Sequence, residues 1–129
     1  MGATIDMIGI VVKDMETALA FYRLLGFEFP DGAEQEGHVE VITPNGYRIA
    51  WDTEELIKSF DPDWKAPSGS RIGLAFKCNN PGEVDRLYKQ FVDRGYRSKK
   101  EPWDAFWGQR YSTILDPDGN AIDLFASLG

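Results

Sequence analysis

The sequence predicts an α+β fold built from two tandem βαβββ modules. Three observations carry this. A β-rich run opens each half of the chain. An amphipathic helix with its own cap and glycine stop follows each run. Each half then closes on a Pro-Asn-Gly or Pro-Asp-Gly turn between extended segments. The modules are expected over residues 1–52 and 71–129, with a connecting loop over 53–70, all within a single domain of 129 residues.

In the first half, Ile5, Ile8, Ile10, Val11 and Val12 form a strand-like run. Asp14 stands where a helix N-cap belongs. Met15, Ala18, Leu19, Tyr22 and Leu25 recur at helical spacing, and Gly26 ends the pattern. Phe27 to Phe29 read as a restarted strand, Val39 to Thr43 as a second and Tyr47 to Trp51 as a third, with Pro44-Asn45-Gly46 as the turn.

The second half repeats the order. Ile72, Leu74 and Phe76 alternate as a strand. Asn80-Pro81-Gly82-Glu83 opens a helix with a cap, a proline in the first turn and a glutamate three residues after the cap. Val84, Leu87, Tyr88, Phe91 and Val92 make its apolar stripe, and Gly95 stops it. Tyr96 and its neighbours read as a short strand, Tyr111 to Leu115 as the next and Ala121 to Phe125 as the last, around the turn Asp116-Pro117-Asp118-Gly119. Between the halves, Glu54 to Phe60 suggests a short helical turn.

Composition removes several function classes. The net charge is −7. Such a surface repels a phosphate backbone, so no nucleic-acid partner is expected. No apolar run is long enough to span a membrane, and no secretory signal is visible, which points to a cytoplasmic protein without a membrane partner. The one cysteine, Cys78, can form no internal disulfide and reads as a small core residue at a strand end.

Four segments carry a more specific signal: Ile8-Gly9-Ile10-Val11-Val12-Lys13-Asp14, Phe21-Tyr22-Arg23-Leu24-Leu25-Gly26-Phe27, Trp107-Gly108-Gln109-Arg110 and Asp116 to Leu124. Together with the paired modules they resemble the vicinal oxygen chelate superfamily, which includes glyoxalase I, extradiol dioxygenases and bleomycin-resistance proteins. The resemblance implies a curved mixed sheet with helices on its convex side, a ligand or metal in the concave cup, and a homodimer. It equates the usual metal-ligand positions with Met7, Ala50, Gly73 and Asp123. One carboxylate among four is not a hard-ion site, so no metal and no cofactor is expected.

Strand alternation sorts the faces. Ile8, Ile10, Ile49, Trp51, Ile72, Leu74, Phe76, Ile122 and Leu124 should face the helices. Met7, Gly9, Ala50, Gly73, Ala75 and Asp123 should face the cup, with Tyr111, Thr113 and Leu115 in one module and His38, Glu40 and Ile42 in the other. His38 and Glu40 read either as an acid–base pair or as two polar groups in a wet pocket.

Trp64, Trp103 and Trp107 fall in segments read as irregular, beside Phe60, Phe106 and Tyr111. The resemblance places Phe60 to Trp64 and Trp103 to Trp107 along the ligand groove. Met7, His38, Glu40, Ala50, Phe60, Trp64, Trp103, Phe106, Trp107, Tyr111 and Asp123 are therefore the expected ligand-binding residues, with no catalytic residue assigned. Glu40, Asp52, Asp104 and Asp123 would favour a cationic or hydroxyl-rich ligand. The resulting expectation is a metal-free binding protein of the bleomycin-resistance type, sequestering a bulky aromatic small molecule such as an antibiotic. The alternatives are a glyoxalase-like lyase, isomerase or dioxygenase of the same fold, or aromatic loops that serve a dimer interface.

Overall fold

The computed structural model describes residues 2–70 and 72–129. Arg71, where the second module is expected to begin, lies outside the described residues. The chain forms two compact units, Met1–Ala66 and Pro67–Gly129. Each is α+β, and the described residues hold three α-helices and two mixed sheets. No described helix is long and apolar enough to cross a membrane.

In the first unit, β1 (Met7–Val12) runs parallel to β3 (Arg48–Thr53), and β2 (His38–Ile42) pairs antiparallel to β3 on its other side. Helix α1 (Met15–Arg23) starts where Asp14 accepts the Thr17 N–H at 2.9 Å, and Gly26 follows it at a φ of +104°. Its apolar stripe buries Met15, Ala18, Leu19 and Tyr22. Helix α2 (Glu54–Phe60) occupies the expected helical turn, capped by Thr53.

The core of this unit centres on Trp51, which is fully buried. Tyr22, Phe27 and Phe29 surround it edge-to-face at centroid distances of 5.2, 5.3 and 5.0 Å. The expected strand at Phe27 to Phe29 is not present. Those two rings instead line the same side of Trp51, and Pro30, which has no N–H to donate, closes the segment. The unit is thus strand, helix, 3-10 turn (Ala33–Gln35), two strands and a closing helix.

The second unit has strand order β4-β7-β6-β5. Here β4 (Leu74–Lys77) is parallel to β7 (Ala121–Ser127), and β6 (Gln109–Leu115) joins β7 to β5 (Ser98–Ala105) in antiparallel pairing. Helix α3 (Pro81–Asp93) is capped at both levels: Asn80 accepts the Glu83 N–H, and Glu83 accepts the Asn79 N–H, both at 2.9 Å. The helix packs on β5, β6 and β7, burying Val84 and Phe91 with Ile114, Ile122 and Leu124. Cys78, just past β4, is buried, and burial pushes its thiol pKa up to about 11.

Three expectations need correction here. The strand after α3 begins at Ser98 rather than at Tyr96, and it runs through Trp103, which is therefore strand and not loop. Lys99-Lys100-Glu101-Pro102 looks like a loop, but β5 is a sheet edge, where charge and proline are tolerated. The pairing also breaks register twice, between Ser98 and Lys100 and between Lys100 and Trp103. Ile72, expected to face a helix, precedes β4 and is 74% exposed.

Candidate functional site

Each sheet turns one face to its helices and the other away. On the second face of the first unit, register places three cross-strand rows: Met7, Arg48 and Ile42; Gly9, Ala50 and Glu40; Val11, Asp52 and His38. Side chains link these rows into a chain of alternating charge. Asp6 accepts from Arg48 at 2.7 Å, and Arg48 bonds Glu40 at 2.9 Å. Glu40 lies 3.0 Å from His38 Nε2, and His38 Nδ1 lies 2.5 Å from Asp52. Ala50 lies in the middle row of this face, as expected, and is fully buried.

His38 thus has a carboxylate oxygen at each ring nitrogen. Carboxylates only accept, so the ring satisfies both bonds only as imidazolium. The Asp52 bond, then the Glu40 bond, raise the His38 pKa above its ordinary 6.5. The His38 bond, followed by Arg48, lowers that of Glu40 below its ordinary 4.5. In that doubly bonded imidazolium form the ring has no free lone pair, so His38 can act as a base only after giving up a proton that both carboxylates hold in place.

The linkage has a sign. Because the folded pKa of His38 is raised, the cluster stabilises fully below pH 6.5 and loses that contribution as pH rises through the folded value. His38→Gln should therefore lower the melting temperature near pH 6 and lose its effect in alkaline buffer. A thermal-melt difference that grows with pH would contradict the clamp.

The second unit presents aromatic rings on the face away from α3. Trp103, Tyr111 and Phe125 stand in register on neighbouring strands. Tyr111 and Phe125 are nearly parallel at 6.3 Å. Trp107, in the tight turn between β5 and β6, stands perpendicular to Trp103 at 5.4 Å and to Tyr111 at 5.3 Å. Its indole N–H donates to Gln109 at 2.8 Å, which fixes the ring, and the residue stays 49% exposed. Phe106 packs on Trp107 but is 90% exposed.

Beside this row lies Asp123. Tyr111 and Thr113 each donate a hydroxyl to it at 2.7 Å, one to each carboxylate oxygen. Burial, then the Asp123 bond, pushes the Tyr111 pKa up to about 12, so its hydroxyl stays protonated. Residues 98–103 of β5 line a shallow groove of about 380 Å³ at the edge of the same sheet.

The expected residues therefore fall into separate groups. Met7, His38, Glu40 and Ala50 share one face of the first unit's sheet. Trp103, Phe106, Trp107, Tyr111 and Asp123 cluster in the second. Phe60 ends α2 and is 70% exposed, and Trp64 lies beyond it under Lys58. Sequence reasoning missed Arg48 and the pairing of Asp52 with His38. The Pro44-Asn45-Gly46 turn held the clue, since counting back from it sets Asp52 directly opposite His38. It also missed Phe125, although strand alternation puts it on the same face as Asp123.

The expected metal-ligand positions do not fit a hard cation. Ala50 and Gly73 offer no donor, Met7 offers a thioether, and both oxygens of Asp123 are engaged. Among the described residues no three His, Cys, Asp or Glu side chains are grouped to hold a metal ion.

The profile of the Glyoxalase/Bleomycin resistance protein/Dioxygenase superfamily matches residues 4–124. A solved superfamily member from Sphaerobacter thermophilus is 31% identical, with a TM-score of 0.69 over 97% of this chain and 98% of that one. A glyoxalase/bleomycin resistance protein/dioxygenase from Nocardioides is 26% identical, with a TM-score of 0.76 over 99% and 85%. A family enzyme from Burkholderia phytofirmans shares the fold at a TM-score of 0.82 and 20% identity, over 95% and 98%. No curated protein matches.

Proposed function

The chain belongs to the Glyoxalase/Bleomycin resistance protein/Dioxygenase superfamily, and within it we propose a metal-free protein that binds a planar aromatic small molecule on the second unit's aromatic face. The observation that carries this is the row of Trp103, Trp107, Tyr111 and Phe125. Four rings meet on one side of a sheet, and Trp107 is half-exposed yet held by Gln109. An ordered, exposed indole has lost its entropy before any ligand arrives, which favours stacking. Binding without turnover fits the donor inventory. His38 is clamped, the Tyr111 hydroxyl is held protonated, and Cys78 is buried and protonated.

A panel of planar aromatic compounds titrated against the tryptophan emission tests the reading. Saturable quenching is expected, and Trp107→Ala should weaken it by about 1–3 kcal/mol. The second reading rests on Phe106, whose 90% exposure beside Trp107 suits an interface in a homodimer. Under that reading Trp107→Ala shifts the monomer–dimer balance in sedimentation and leaves affinity per dimer unchanged. If neither quantity moves, the aromatic face is not the site.

A further inference from the structure

We propose that the aromatic face takes its ligand as an anion: a planar aromatic acid whose ring lies along Trp107, Tyr111 and Phe125 and whose carboxylate meets Lys100. This rests on the reading of that face as the ligand site and adds the charge class. It runs against the chain's net charge of −7, which alone favours a cation.

Close to the rings the balance differs, because two lysines, Lys77 and Lys100, stand beside the row against the one carboxylate of Asp123. Two of the acidic groups that would attract a cation belong to this unit: Asp104 is ion-paired, and Asp123 keeps its charge but has each oxygen bonded by a hydroxyl. Arg110, which holds Asp104, also grips Asp85 of α3. The lysines of the same face are not neutralised. Lys100 Nζ stands 4.9 Å from the Trp103 ring centroid, and Lys100 is opposite Thr113 in the ladder. Lys77 is opposite Phe125 at the other end of the row. Among the described residues neither lysine has a carboxylate partner. The groove along β5 adds Lys99 and Lys100 against the single Glu101. The row from Lys77 to Trp103 crosses three strand spacings, about 14 Å, which suits two or three fused rings. An ammonium at the rim of such a row draws the acid group of the ligand and leaves its ring to the aromatic side chains.

The test uses three probes of one ring system, 2-naphthoate, 2-naphthalenemethanol and 2-naphthylmethylammonium, in equilibrium dialysis against the full chain. Naphthoate should bind best. Lys100→Gln should cost it about threefold to fivefold and leave the alcohol unchanged, with a smaller loss for Lys77→Gln. The preference should also shrink as salt is raised. Equal binding of acid and alcohol, tighter binding of the ammonium, or an unchanged acid-to-alcohol ratio in Lys100→Gln overturns the charge assignment while the aromatic reading stands. Binding of none of the three overturns both.

Discussion

Replacing Trp51 by alanine should cost the fold about 3–5 kcal/mol, the range for deleting a large buried ring. Tyr22, Phe27 and Phe29 all lean on this one indole, and no polar bond is lost with it, since its buried Nε1 has no hydrogen-bond partner in the structure. Trp51→Phe should accordingly be much milder, because it keeps an aromatic ring in the box and leaves no new polar group unpaired. Urea unfolding of both variants checks this. A loss under 1 kcal/mol for the alanine variant would mean the aromatic box is not the unit's core.

The second large effect lies in the turn between β6 and β7. Asp116 is almost fully buried and accepts the backbone N–H groups of Asp118 and Asn120 at 2.9 and 2.8 Å, and the Asn120 side-chain amide at 2.8 Å. Asp116→Ala strands those donors, and about 2–4 kcal/mol should be lost. Asp116→Asn keeps one acceptor and should fall between. If Asn and Ala variants melt together, the hydrogen bonds are not what stabilises the turn.

Helices and turns were legible because their signals are local. Asp14, Asn80 and Glu83 act as caps, and Gly26, Gly46, Gly95 and Gly119 take the positive φ that ends a helix or tightens a turn. What failed was pairing. Phe27 to Phe29 alternate like a strand, but their partner is a tryptophan ring distant in sequence, not a ladder. Trp103 hides in a charged, proline-bearing stretch that only an edge position permits. The site divides the same way. Trp107 and Tyr111 stood out by residue type, whereas the occupancy of Asp104 and Asp123 follows from cross-strand neighbours. The lysines beside the rings, Lys77 and Lys100, are likewise cross-strand neighbours, and the proposed anion preference rests on them rather than on the expected cationic or hydroxyl-rich ligand.

The state of Cys78 gives the molecule a built-in clock. A protonated, enclosed sulfur reacts with a thiol reagent only during excursions that expose it, and its backbone N–H is tied to Phe125 at 2.7 Å. The labelling rate therefore counts how often the junction of β4, β7 and α3 comes apart. A ligand seated on Phe125 and Tyr111 would slow that count without touching the sulfur. The labelling rate of Cys78 with and without an aromatic compound is therefore a readout of the proposed site that needs no engineered probe.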